Sequence, residues 1–200
     1  MSIASGDGGM AYHARTLREG RFAGAFDRLI PLRSLGEADL GAHRALLIPC
    51  RTHGERLATL RDVLAAYMRG GGTLVVLGET RPDLFLDGVT LRVVPTNYWW
   101  WLEAEGRLDV RVVDRAHPLL REVDEADLRW HVHGTHDVEG GRELVRYEDR
   151  EEGGAVMVEA SRGAGRLLVT TLDPVYHHGS GFMPATTRFL EVFVPWLAGL

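Results

Sequence analysis

Residues 45–81, ALLIPCRTHGERLATLRDVLAAYMRGGGTLVVLGETR, decide the fold class. The first apolar run, 45–49, is short and uniformly hydrophobic, as a parallel strand buried on both faces is, and 73–77 repeats that character. Between them Leu57, Leu60, Leu64, Tyr67 and Met68 recur at helical spacing. Arg56, Asp62 and Arg69 fall elsewhere on the helix, and Gly70, Gly71 and Gly72 stop it. Strand, helix, strand in this order is a βαβ unit of an open parallel sheet. Such sheets gather ligands beyond the carboxyl ends of their strands, which points to residues 50–53 and 78–81, with Arg51 and Thr80 as candidate ligand-binding residues.

Working outward, residues 2–5 read as a first strand, followed by a turn at Gly6, Gly8 and Gly9 and a helix through Tyr12, Leu17 and Arg18. Residues 28–32 read as a second strand and 35–43 as a short, weakly patterned helix. After Thr80 the character changes to short β-branched runs at 89–94, 108–113, 128–132, 143–147, 155–159 and 166–171. Turn chemistry separates them at Glu139-Gly140-Gly141 and at Arg162-Gly163-Ala164-Gly165. A terminal helix over 184–197 carries one apolar stripe of Phe189, Val192, Phe193 and Trp196. The expected architecture is a three-layer α/β core with a mainly parallel sheet containing 28–32, 45–49 and 73–77, extended by antiparallel strands from the second half.

Two hundred residues at 45% hydrophobic content can bury one sizeable core, and no linker divides them, so residues 1–200 read as a single domain. Net charge is -5, and the 23 basic residues, all arginine, are scattered among 28 acids; nucleic acid is not an expected partner. Nowhere are there the roughly 18 consecutive apolar residues of a membrane span, nor a leader at the N-terminus, so no membrane is expected and the protein reads as soluble and cytoplasmic. The single cysteine, Cys50, excludes an internal disulfide and fits a reducing compartment.

Three stretches, ALLIPC, LRDVLAAYMRGGGTLVVLGE and GRLLVTTLDPVYHHGSG with its terminal helix, resemble the class I glutamine amidotransferase-like superfamily. Within it the likeness is to the branch of ThuA-like proteins and the trimerisation domain of some β-galactosidases. The resemblance implies a flavodoxin-like three-layer sheet, a cysteine nucleophile in the turn after the second strand of the βαβ unit, and a histidine from the end of a late strand. Here that turn reads Leu77-Gly78-Glu79-Thr80-Arg81, without cysteine or serine, while His177 or His178 could take the histidine's place. Glutaminase chemistry by the family route is not expected; Glu79 can instead act as a base or hold a metal.

Other constellations compete with plainer readings. Leu128-Arg129-Trp130-His131-Val132-His133 alternates, so as a strand it would project His131 and His133 from one face. With His136 they form a candidate site for zinc, iron or manganese; the plain alternative is exposed histidines bonding to neighbours. Residues 176–181 should be a loop on the carboxyl rim, where one of His177 and His178 faces the pocket with Asp173 or Glu79 as partner. Cys50 and His53 could form a thiolate–imidazole pair, or Cys50 could be a small buried hydrophobe. In Asn97-Tyr98-Trp99-Trp100-Trp101 the aromatics cannot all face one core; Trp100 is a candidate ligand platform, and the run also suits a subunit contact in a homo-oligomer.

Two functions follow. One is an amidotransferase-like protein without glutaminase activity that binds a small polar ligand, such as a carbohydrate, or serves in assembly. The other is a metal-dependent hydrolase or isomerase in which Glu79, His177 and His178 carry the chemistry.

Overall fold

The computed structural model describes residues 3–7, 10–96, 98–104 and 106–200. The chain forms strand β1 (Ile3–Asp7), helix α1 (Ala11–Arg18), β2 (Arg28–Pro31), β3 (Ala45–Ile48), helices α2 (Gly54–Ala58) and α3 (Arg61–Arg69), and β4 (Thr73–Leu77). Strands β5 (Val89–Val93), β6 (Val110–Val112), β7 (Gly134–Val138), β8 (Arg142–Tyr147), β9 (Gly154–Arg162) and β10 (Gly165–Thr170) follow, then helices α4 (Pro174–Ser180) and α5 (Pro184–Ala198). The sheet runs β2-β1-β3-β4-β10-β9-β7-β5. Pairing is parallel from β2 to β10 and antiparallel beyond it, with β8 on β9 and β6 on β8. This is the expected α/β architecture.

Period-two alternation sends each strand's side chains into two different cores. Leu46, Ile48, Leu74 and Val76 pack with Leu57, Leu64, Tyr67 and Met68 of α2 and α3. Leu47, Val75 and Leu77 pack on the other face with Leu17 of α1, Val175 of α4, and Phe189 and Phe193 of α5. Helices thus cover both faces, and each fully buried leucine contributes about 2 kcal/mol. No helix among the described residues is long and apolar enough to cross a membrane.

Several expectations need correction. The helix of the βαβ unit is broken into α2 and α3 at Thr59, whose hydroxyl donates to the Arg56 carbonyl (2.8 Å). Residues 35–43 form 3-10 turns, Leu32–Glu37 and Leu40–Ala42, because Gly36 and Gly41 weaken the helical pattern. The strand read at 2–5 is Ile3–Asp7, with Ser2, Gly8 and Gly9 outside the described residues, as is Asn97. Residues 128–132 are not a strand. A 3-10 turn, Glu125–Leu128, started by the Asp124 carboxylate accepting from the Ala126 amide (2.9 Å), leads through an irregular segment into β7. The expected rim loop at 176–181 lies mostly in α4. The turn after β4 runs on into a 3-10 turn, Pro82–Leu84.

Candidate functional site

The ends of β3, β4 and β10 meet at one edge, and Asp173 stands at its centre. It follows β10 by three residues, stands just ahead of Pro174 at the start of α4 without its side chain bonding the helix's amides, and is wholly buried. The Trp130 indole donates to Asp173 Oδ1 at 3.1 Å. One turn along α4, His177 brings Nε2 to 3.2 Å from Asp173 Oδ2. His131 Nε2 lies 3.5 Å from Oδ1 and His133 Nε2 3.7 Å from Oδ2. His131 and His177 face each other, Nε2 to Nε2, at 3.0 Å.

His131 and His133 reach this point without a strand to carry them. The Val94 amide donates to the His133 carbonyl (3.3 Å), and the Thr171 hydroxyl donates to the carbonyl of Gly134 (3.0 Å), so the irregular segment is pinned to β5 and to the end of β10. Glu79 approaches from the turn after β4, its Oε1 3.0 Å from His133 Nδ1. Beside it, Arg51 lies 3.6 Å from Glu79 Oε2, and its guanidinium stacks on the Tyr176 ring at 4.0 Å. Tyr98 covers the histidines, 5.1 Å from the His131 ring and 6.0 Å from that of His133. The cluster is buried; Glu79, 42% exposed at its side chain, and Arg51, 34%, form its wet rim.

Charge explains how these groups coexist. Burial alone would protonate Asp173, but the surrounding histidines hold its carboxyl well below the usual range. Burial opposes the His133 imidazolium, yet Asp173 and Glu79 together raise its pKa to about 9. Hydrogen bonding from His133 lowers the Glu79 pKa against the effect of its own burial, and burial lowers that of His131.

Glu79, His131, His133 and His177 therefore come together, with Arg51 at the rim. His178 does not join them: its ring bonds Thr187 Oγ1 (2.8 Å) and packs edge-on to Phe22. His136 sits in β7, three residues past His133, on the sheet face of Val138, and neither ring nitrogen has a hydrogen-bond partner. It is absent from the ligand-atom group of His131, His133 and Asp173, so the metal set read from sequence is corrected there. Trp100 spends its indole N–H on the Trp130 carbonyl (3.0 Å), which makes it a bracket behind the cluster rather than an open platform. Thr80 is buried, with its backbone carbonyl against Gly54. Cys50 is buried, its Sγ 3.5 Å from His13 Nε2 and not paired with the exposed His53; burial and then Asp173 push its thiol up, away from a thiolate. From the 98–101 aromatic run the sequence singled out Trp100 rather than Tyr98, and it gave Trp130 no role, because spacing alone does not reveal which polar group an aromatic edge will meet.

In the turn after β4 two residues have positive φ, Gly78 at +60° and Arg81 at +53°. A Cβ at Gly78 would fall 2.4 Å from the Cβ of Cys50 and 2.9 Å from that of Asp173. No side chain fits at this point. A cavity of about 580 Å³ lies at the opposite edge, beside Leu40, Ala42, Tyr67 and Gly71, away from the titratable cluster.

The chain matches no known protein-family model. No curated protein matches it either. Its fold is nevertheless shared with solved structures. The cytoplasmic protein STM1381 from Salmonella typhimurium LT2 superposes with a TM-score of 0.62 at 13% identity, over 98% of this chain and 99% of that one. The cytoplasmic protein STM3548 from Salmonella typhimurium gives 0.58 at 11% identity, over 98% of both chains. The cold-adapted β-galactosidase from Rahnella sp. R3 gives 0.54 at 13% identity, with 96% of this chain matching 31% of the enzyme.

Proposed function

We propose that this chain is an amidotransferase-like module without glutaminase activity that binds a small polar ligand of the carbohydrate class at the rim formed by Glu79, Arg51 and Tyr98. The observation that carries the first half is Gly78. At φ +60° it has no room for a side chain, and Glu79 beside it, where the family's nucleophile is expected, is neither cysteine nor serine. Support for the second half is the rim itself: a half-exposed carboxylate and guanidinium can bind hydroxyl groups in pairs, and the exposed Tyr98 ring offers a stacking face beside them. The fold shared with a β-galactosidase segment and with proteins described as cytoplasmic agrees with a carbohydrate-related role inside the cell.

The test has two arms. Incubation with glutamine should release no ammonia, and calorimetric titration with a panel of mono- and disaccharides should find a binder that Glu79→Gln and Arg51→Ala weaken. Glutamine turnover abolished by Cys50→Ser would overturn the first arm; binding unchanged by both rim variants, or no binder in the panel, would overturn the second. A second reading, assembly, is favoured by the exposure of Trp99 (58%), Leu102 (72%) and Phe182 (61%) on one chain. It predicts concentration-dependent self-association in sedimentation experiments, weakened by Leu102→Ser.

A further inference from the structure

We propose that Asp173, His131, His133 and His177 hold one divalent first-row transition ion, of the zinc, iron or manganese type, at the floor of the ligand site. The proposal shares that site with the carbohydrate reading, but it rests on the cluster alone.

Convergence is the first argument. Ligand atoms of His131, His133 and Asp173 all lie within 4.8 Å of one another. His177 Nε2 adds a further donor 3.0 Å from His131 Nε2 and 3.2 Å from Asp173 Oδ2. Atoms bound to one ion at about 2.0–2.2 Å stand about 3–3.5 Å apart, so modest rotations would close the set around a single centre.

The second argument is what the cluster leaves unmatched. A purely hydrogen-bonded network could explain the His131–His177 contact, since 3.0 Å is also a hydrogen-bond distance. It leaves Asp173 Oδ2 and His133 Nε2, buried and 3.7 Å apart, without a hydrogen bond of good geometry, although His177 Nε2 lies 3.2 Å from the same oxygen. An ion lying between these two atoms would engage both with better geometry than the histidine contacts at 3.2 and 3.7 Å.

The third argument is how their other ends are tied. Glu79 sits on His133 Nδ1 at 3.0 Å, leaving Nε2 to face inward. The Trp130 N–H occupies Asp173 Oδ1 at 3.1 Å, leaving Oδ2 to face inward. Partners on the far side of the ligands are how proteins orient a metal's first ligands. The donor set is imidazole and carboxylate, with Cys50 turned to His13 instead. Such donors suit zinc, iron(II) or manganese better than copper(I), and the nitrogen majority disfavours calcium and magnesium.

The experiment uses full-length protein without an affinity tag, stripped with chelator and titrated calorimetrically with zinc, manganese and, anaerobically, iron(II). Bound metal is then counted by mass spectrometry. One ion per chain is expected, with His131→Gln and His177→Gln each weakening it by at least about tenfold. His136→Gln should leave it unchanged. Cobalt(II) loading should give weak visible bands without an intense thiolate band. His177→Gln keeps the test decisive if His131→Gln does not fold, because His177, at 8% exposure, is less deeply enclosed than His131 at 1%. No ion bound tighter than about 100 µM, or equal binding by wild type and His177→Gln, overturns the proposal. Saccharide titrations run on stripped and loaded protein separate the two readings, since either can fail while the other stands.

Discussion

Gly78 shows how one residue sets the chemistry of an edge. Its φ of +60° is a conformation that L side chains adopt only with strain, and the space a Cβ would fill is already held by Cys50 and Asp173. Gly78→Cys, which restores the nucleophile type found in amidotransferases, is therefore expected to release no ammonia from glutamine and to destabilise the fold by about 2–4 kcal/mol. Urea unfolding checks this; a variant as stable as wild type would mean that the turn relaxes freely. His136 makes a different kind of demand. Burial lowers its pKa from 6.5 to about 4, with Asp83 acting weakly the other way. Below pH 6.5 the unfolded chain accepts a proton that the folded chain refuses, so stability at this site is intact above 6.5 and drains away toward pH 4, by about 3 kcal/mol in all. His136→Leu should thus gain on wild type steadily as pH falls through that window. A stability difference constant from pH 7 to 4.5 would show that the ring is solvated.

Helix α4 is the element on which the site depends most. It spaces Asp173 and His177 one turn apart and is seated against α1 at Gly179, where a Cβ would fall 1.9 Å from the Tyr12 carbonyl oxygen. Gly179→Ala should push α4 off α1, lower stability by about 2–4 kcal/mol, and weaken any ligand of the His131–His177 pair. Unchanged thermal midpoint and unchanged binding would show that α4 floats. Residues 176–181 read as a loop because the run is short and carries no apolar repeat. They form a helix because Pro174 presets its first turn, while Thr16 anchors its start by donating to the Val175 carbonyl (2.7 Å). The element 45–77 was legible for the opposite reason: its strands are uniformly apolar and its helix repeats at 3.6 residues, both local signals.

At the scale of the whole molecule, β10 interlocks the two halves. It leaves a hairpin with β9, yet pairs in parallel with β4 along its other edge. The five tryptophans all belong to the second half, beginning at Trp99, while Cys50 is buried in the first. Because neither half keeps a complete sheet without the other, tryptophan fluorescence and Cys50 thiol reactivity should report the same urea midpoint. Two separated midpoints would mean that residues 1–200 unfold as more than one unit.

The sequence by itself determined the α/β class, the parallel core around 45–49 and 73–77, the β9–β10 hairpin and the carboxyl edge where Glu79 stands, because periodicity and turn chemistry are local properties of the chain. It also marked His131, His133 and His177 as residues to watch. Only the tertiary structure decided that these three meet at Asp173, that His136 and His178 turn away, and that Gly78 leaves no place for a nucleophile. Those outcomes depend on where an irregular segment is pinned by Val94 and Thr171, and on how closely three strand ends crowd together. Both are set by contacts between residues far apart in the chain, which no local pattern encodes.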